Sequence, residues 1–213
     1  MIELHIPAML YRGLLDGDEK IKAMMKTRYG TQLLLTYATL QRDELYDSRW
    51  HGQGHIERVI LLGGLIAMGE QFSERDTKLA LFACSYHDIG RIDDSKDDDH
   101  GTRSAERLVS RGIIGMLQPV SEAEIAIVRA AIATHSMHDS SLEANMKKYG
   151  VAPEEEARCR RICWCLKDAD NMDRVRLNDL DPRYLRLESS KNMVGTAWYI
   201  LNEYIAARRA NLA

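Results

Sequence analysis

With 213 residues, 45% of them hydrophobic and 29% charged, the chain has the make-up of a globular protein long enough to bury a core without disulfide staples. Its net charge of −3 is spread along the sequence, which excludes a broad basic face for nucleic acid and a polybasic patch for a membrane surface. The longest apolar run, VILLGGLIAMG at 59–69, is well short of the ~20 residues that cross a bilayer.

In chain order, acids open a helical pattern at 18–30, and Gly30 reads as its stop. Apolar residues recur at helical spacing through 31–47 and again through 55–72. Ser73 is the expected N-cap of a helix over 73–88, and Ser121 with Glu124 forms a capping-box signature ahead of IAIVRAAIATHS. Pro153 starts a helix over 153–170, and a last one covers 193–210. Residues 89–100, acidic and irregular, and 174–192 read as loops. Convincing period-2 alternation flanked by turns is absent, so the expected fold is all-α, a single domain over 1–213. Cys84, Cys159, Cys163 and Cys165 have neither CxxC nor disulfide-framework spacing. With no signal peptide recognised, they are expected to be reduced core thiols of a cytoplasmic protein, a thiolate zinc site being the alternative.

Polar residues interrupt these apolar helices at a few defined places. Five of the seven histidines lie between positions 51 and 135. His51 and His55 are four apart and share a helical face if the helix begins early enough. SYHDIGR supplies His87 and Asp88, DDDHGTRSAERL supplies His100, and IATHSMHD supplies His135 and His138. KDADNMDR ends a helix with Asp168, Asp170 and Asp173. Mixed imidazole and carboxylate sets suit divalent ions such as Fe, Mn and Zn, and a buried carboxylate without a partner is costly. A metal cluster gathered from several helices would explain why apolar helices end on such residues. His5 and His138 read as caps or satisfied core residues, Asp97–Asp99 as a solvated loop, and Gly63, Gly64 and Gly69 as sites of close helix packing.

Taken in order, His55, His87–Asp88 and Asp170 resemble the H…HD…D signature of the HD-domain superfamily. HGQGHIERV is similar to its H-x-x-R-V segment, HDIGR to its central motif and DADNMDR to its closing segment, a resemblance covering about residues 50–175. It implies an HD-type helical bundle converging on a divalent transition metal, Fe or Mn first, with Zn, Ni, Co and Mg also open. It transfers His55, His87, Asp88 and Asp170 as ligands, leaves Asp168 as a neighbour, and matches Arg58 to the motif arginine. Several dinuclear members place two further histidines between HD and the last Asp. His100 and His135 match that order, with Asp88 then bridging two ions.

The activity implied is hydrolysis of a phosphate ester or nucleotide by metal-activated water. The partner is then a small phosphorylated molecule or nucleotide, and a homo-oligomer is left open. The alternatives are a mixed-valence di-iron oxygenase of the same fold and a non-catalytic nucleotide-binding module. Beside Arg58, the cations Arg91, Arg103 and Lys167 are candidates for neutralising phosphate. His51 is a candidate general acid or substrate contact, and Asp93 or Asp94 a candidate for orienting a ligand histidine or water.

Overall fold

The computed structural model describes residues 5–212, and these contain eleven α-helices and no strand. Met1–Leu4 and Ala213, included in the single-domain expectation, lie outside the described residues. Helix α1 (Ile6–Tyr11) begins where the Ile6 N–H donates to the buried Glu57 carboxylate at 2.9 Å. Asp18 caps α2 (Glu19–Met25) by accepting from the Lys20 and Ile21 N–H groups, and Thr27 caps α3 (Arg28–Thr39) by accepting from Tyr29.

The first two helical stretches differ from expectation. Gly30 does not stop a helix; it lies in the first turn of α3, where a Cβ would stand 2.6 Å from the Met25 Cα. Its role is to let α2 and α3 approach across a tight turn. The helix expected over 31–47 ends at Thr39, because the Gln41 N–H donates to the Tyr86 hydroxyl at 3.1 Å rather than to the preceding turn. A short 3-10 turn at Arg42–Glu44 follows.

Next come α4 (Gln53–Gly69), α5 (Glu74–Tyr86), α6 (His100–Ser110) and α7 (Glu122–His135). After them lie α8 (Leu142–Tyr149), α9 (Glu156–Met172), α10 (Glu188–Lys191) and α11 (Val194–Leu212). Helix α4 is apolar around most of its circumference, as a central buried helix must be, and it packs on α5 and α9. Helix α7 packs on α5, α6 and α9. One continuous apolar cluster links Ile6 near one end of the chain to Tyr204 near the other. All four cysteines are buried free thiols in it, and burial pushes the Cys159 thiol up to about 12. None joins the histidine clusters described below, so the thiolate-zinc alternative falls. No helix of the described residues is long and apolar enough to cross a membrane.

Ser121 and Glu124 form the anticipated capping box at the start of α7. Arg75 donates to both Glu124 oxygens at 2.7 and 2.6 Å and holds its carboxyl at about 2, with Ser121 and Arg158 adding to the effect. A depressed carboxyl stabilises the fold above its ordinary value, and that contribution disappears as pH falls through the folded value. Glu124→Gln should therefore destabilise the protein at pH 7 by roughly 1–3 kcal/mol. Unfolding curves should show that difference shrinking between about pH 4.5 and about 2, whereas a constant difference would remove the ion pair from the account.

Candidate metal centre

The ends of four core helices deliver the polar residues. His55 lies in the first turn of α4, His87 and Asp88 directly follow α5, His135 closes α7, and Asp170 sits in the last turn of α9. His100 joins them as the first residue of α6. That helix reaches the others because the loop at Gly90 lies directly on it: a Cβ there would be 2.3 Å from the His100 carbonyl oxygen. Only glycine permits that approach.

Two clusters form around Asp88. Its Oδ2 faces His55 Nε2 and His87 Nε2, each 3.6 Å away, and Asp170 Oδ1 lies 3.3 Å from His55 Nε2 and 3.8 Å from His87 Nε2. Its Oδ1 faces His100 Nε2 at 3.0 Å and His135 Nε2 at 3.6 Å. His55, His87 and Asp170 offer ligand atoms within 4.8 Å of one another, as do His87, Asp88 and His135. All six side chains are buried except Asp170, which is 32% exposed.

The outer nitrogens decide what the inner ones can do. His87 Nδ1 donates to the Cys84 carbonyl at 2.9 Å, His135 Nδ1 to the Ile132 carbonyl at 2.6 Å, and His100 Nδ1 to the Asp97 carbonyl. A carbonyl cannot donate, so each proton sits on Nδ1 and each Nε2 presents a lone pair. His55 Nδ1 is held by the Asp173 carboxylate at 2.8 Å, which places a proton on Nδ1 and turns Nε2 inward. The lone pairs of His55 and His87 thus meet at 3.2 Å, and those of His100 and His135 at 2.9 Å. Neither oxygen of Asp88 accepts a hydrogen bond, although both are buried. Burial pushes the His87 imidazole down to about 3, so it stays neutral, whereas the Asp170 and Asp173 carboxylates raise that of His55 against burial. Buried acceptors facing acceptors are costly unless a cation lies between them. The donor set fits borderline divalent metals.

Asp173 is the residue whose part the sequence did not reveal. It accepts from His55 and also from Arg58 at 2.6 and 2.9 Å, and Arg58 among its partners holds its carboxyl at about 2 despite burial. A carboxylate behind a ligand histidine fixes its tautomer and basicity. Asp173→Asn should weaken binding of Mn by about 10–100-fold at the first cluster, measured by chelator competition. Unchanged affinity would deny Asp173 that part.

A cleft of about 850 Å³ opens over both clusters, lined by His100, His135 and Asp170 and by the candidates His51, Arg91 and Lys167. His51 precedes α4 and does not share a helical face with His55. Two cations are placed differently from expectation. Arg58 turns inward onto Asp173 and over the Tyr204 ring, and Arg103 donates to the Gly90 carbonyl and to Asp97, so neither lines the cleft. Both therefore buttress the centre. Lys167 reaches the wall but is bound to Asp139 at 2.9 Å and to the Met137 carbonyl at 2.6 Å. Arg91 Nε lies 3.0 Å from Asp88 Oδ1 without a hydrogen bond.

Asp94 holds His51 rather than a ligand histidine, and Asp93 folds onto Ser95. Asp168 accepts from the Arg186 and Leu187 N–H groups and pins the loop after α9. Asp97, read as solvated, supplies the carbonyl that orients His100. His138 caps a turn away from the centre, as expected.

A family model described as HD domain matches residues 52–175, the stretch that carries all six converging side chains. No curated protein and no solved structure is similar enough to this chain to count as a match.

Proposed function

The chain belongs to the HD-domain family, and from that premise we propose that it is a divalent-metal-dependent phosphohydrolase acting on a small phosphorylated molecule. The observation that carries this reading is the pair of inward-facing lone-pair clusters sharing Asp88 at the floor of an open cleft. His55, His87, Asp170 and Asp88 Oδ2 would hold one ion, and His100, His135 and Asp88 Oδ1 a second. Ions there supply Lewis-acid charge for a phosphoryl oxygen and make water a competent nucleophile near neutral pH.

The remaining work falls to side chains of the cleft. Arg91 brings a guanidinium beside Asp88, where a phosphate would meet planar donors. His51 Nδ1 bonds Asp94 at 2.9 Å, and Ser48 Oγ donates to the same Asp94 oxygen at 2.6 Å while accepting from the Trp50 and His51 N–H groups. This arrangement leaves His51 Nε2 as a proton acceptor. Burial lowers the His51 pKa, so the ring is neutral at pH 7. His51 would therefore take a proton from the attacking water first and return it to the leaving oxygen afterwards. That revises the simple general-acid role.

The test is hydrolysis by the Mn form without oxygen, read as inorganic phosphate from monoesters and as released alcohol from diesters, run beside oxygen uptake by the Fe form. Hydrolysis requires no electron transfer, so turnover should persist anaerobically and with redox-inert Zn. Oxygen-dependent turnover with no ester hydrolysed would replace this reading with the oxygenase one.

A further inference from the structure

The cleft has a second chemical character above its polar floor. Among the described residues, ten large hydrophobic side chains are exposed, and three of them, Trp50, Leu177 and Tyr184, line this one cleft. Single exposed apolar residues are ordinary, whereas several gathered beside a catalytic floor mark a place where something apolar is bound. Trp50 is 43% exposed and Tyr184 67%, yet each is tied down through its backbone. The Trp50 carbonyl accepts from Arg176 Nε at 3.1 Å, and the Tyr184 carbonyl from Arg186 Nη1 at 2.9 Å. Arg186 is itself locked by Asp139 and Asp168. Both rings are thus presented on fixed supports.

Most of the cations around them are already engaged. Lys167 and Arg186 pair with Asp139, Arg174 with Asp179, and Lys96 lies 4.0 Å from Asp98. Arg91, whose Nε lies 3.0 Å from Asp88 Oδ1 without a hydrogen bond, is placed beside the candidate ligands to meet one phosphate. A substrate carrying a chain of phosphates would find its outer charges facing paired cations and apolar rings. One carrying a single phosphate and a flat ring would match both levels of the cleft.

Building on the phosphohydrolase reading, we propose that Trp50, Leu177 and Tyr184 are specificity determinants that select a phosphomonoester whose leaving group bears a flat, weakly polar ring. Aromatic side chains accept a flat ring by stacking, with little demand on its hydrogen-bonding pattern.

Phosphonates test this without requiring turnover, because their C–P bond is not hydrolysed. The Mn-loaded protein should bind 2-phenylethylphosphonate about tenfold more tightly than ethylphosphonate by calorimetry. Trp50→Ala and Tyr184→Ala should each bring that ratio to about two or below, while Tyr11→Ala, an exposed aromatic outside the cleft, keeps it. 2-Cyclohexylethylphosphonate, as apolar but without a flat face, should bind more weakly than the phenyl compound.

Equal affinities for the phenyl and ethyl compounds, equal affinities for phenyl and cyclohexyl, or a ratio unmoved by both cleft variants would each overturn the proposal. Adenosine 5′-monophosphate against ribose 5-phosphate then separates a nucleobase from a simple aryl group, according to which pair gives the larger ratio. If the phenyl preference holds while no ester is hydrolysed, the hydrolase reading fails and the ring site stands.

Discussion

Asp88→Ala should strip both ions from the protein and lower turnover by about a thousandfold or more, since several kcal/mol of Lewis-acid stabilisation would go with them. The reason lies in the two faces of one carboxylate: Oδ2 looks into the His55–His87 cluster and Oδ1 into the His100–His135 cluster. His87 alone among the neighbouring imidazoles also lies within ligand range of both groups, but it offers a single inward nitrogen. Circular dichroism should show the helices intact, because they bury their own apolar core. Thermal scans should show that Mn raises the melting temperature of the wild type by mass action and leaves the variant unmoved. Full metal occupancy in Asp88→Ala, read by elemental analysis, would sink the assignment.

His100→Ala and His135→Ala should have the next largest effect, each lowering metal content from about two ions per chain to about one. The two imidazoles meet at 2.9 Å and face the same Asp88 oxygen, so removing either leaves one imidazole of the pair beside Asp88 Oδ1, and His87 is already committed to the first cluster. The first cluster keeps His55, His87 and Asp170 and should keep its ion. His138→Ala, at an exposed turn cap, should leave metal content unchanged. A wild type that never exceeds one ion per chain after reconstitution with Mn or Fe would refute the dinuclear arrangement.

Much of the centre was legible in the sequence because its signal is local. His-Asp at the end of an apolar helix and Asp-Ala-Asp at the end of another are costly unless something binds them, and their order along the chain resembles the H…HD…D signature, which implied convergence. The capping box at Ser121 and the N-cap at Ser73 were legible for the same reason: short side-chain-to-backbone geometry is written in neighbouring residues. What depended on distant partners was not. Arg58 and Arg103 sit in motif segments, and no local feature separates an arginine meeting phosphate from one clamping a buried carboxylate or a loop carbonyl. The early end of α3 is set by the Tyr86 hydroxyl, from 45 residues further along. Helix α8 went unnoticed although Gly150, in a left-handed conformation at its end, is a recognisable stop. Trp50 and Tyr184 share a cleft only because the loop after α9 is pinned by Asp168, a contact spacing does not disclose.

If the inward Nε2 atoms and Asp88 form a metal centre, anomalous diffraction from crystals reconstituted with Mn will locate the ions. Two anomalous peaks per chain are expected, one bounded by His55, His87, Asp170 and Asp88, the other by His100, His135 and Asp88. Peaks confined to the exposed acidic loop at Asp97–Asp99, with none between the histidines, would contradict it.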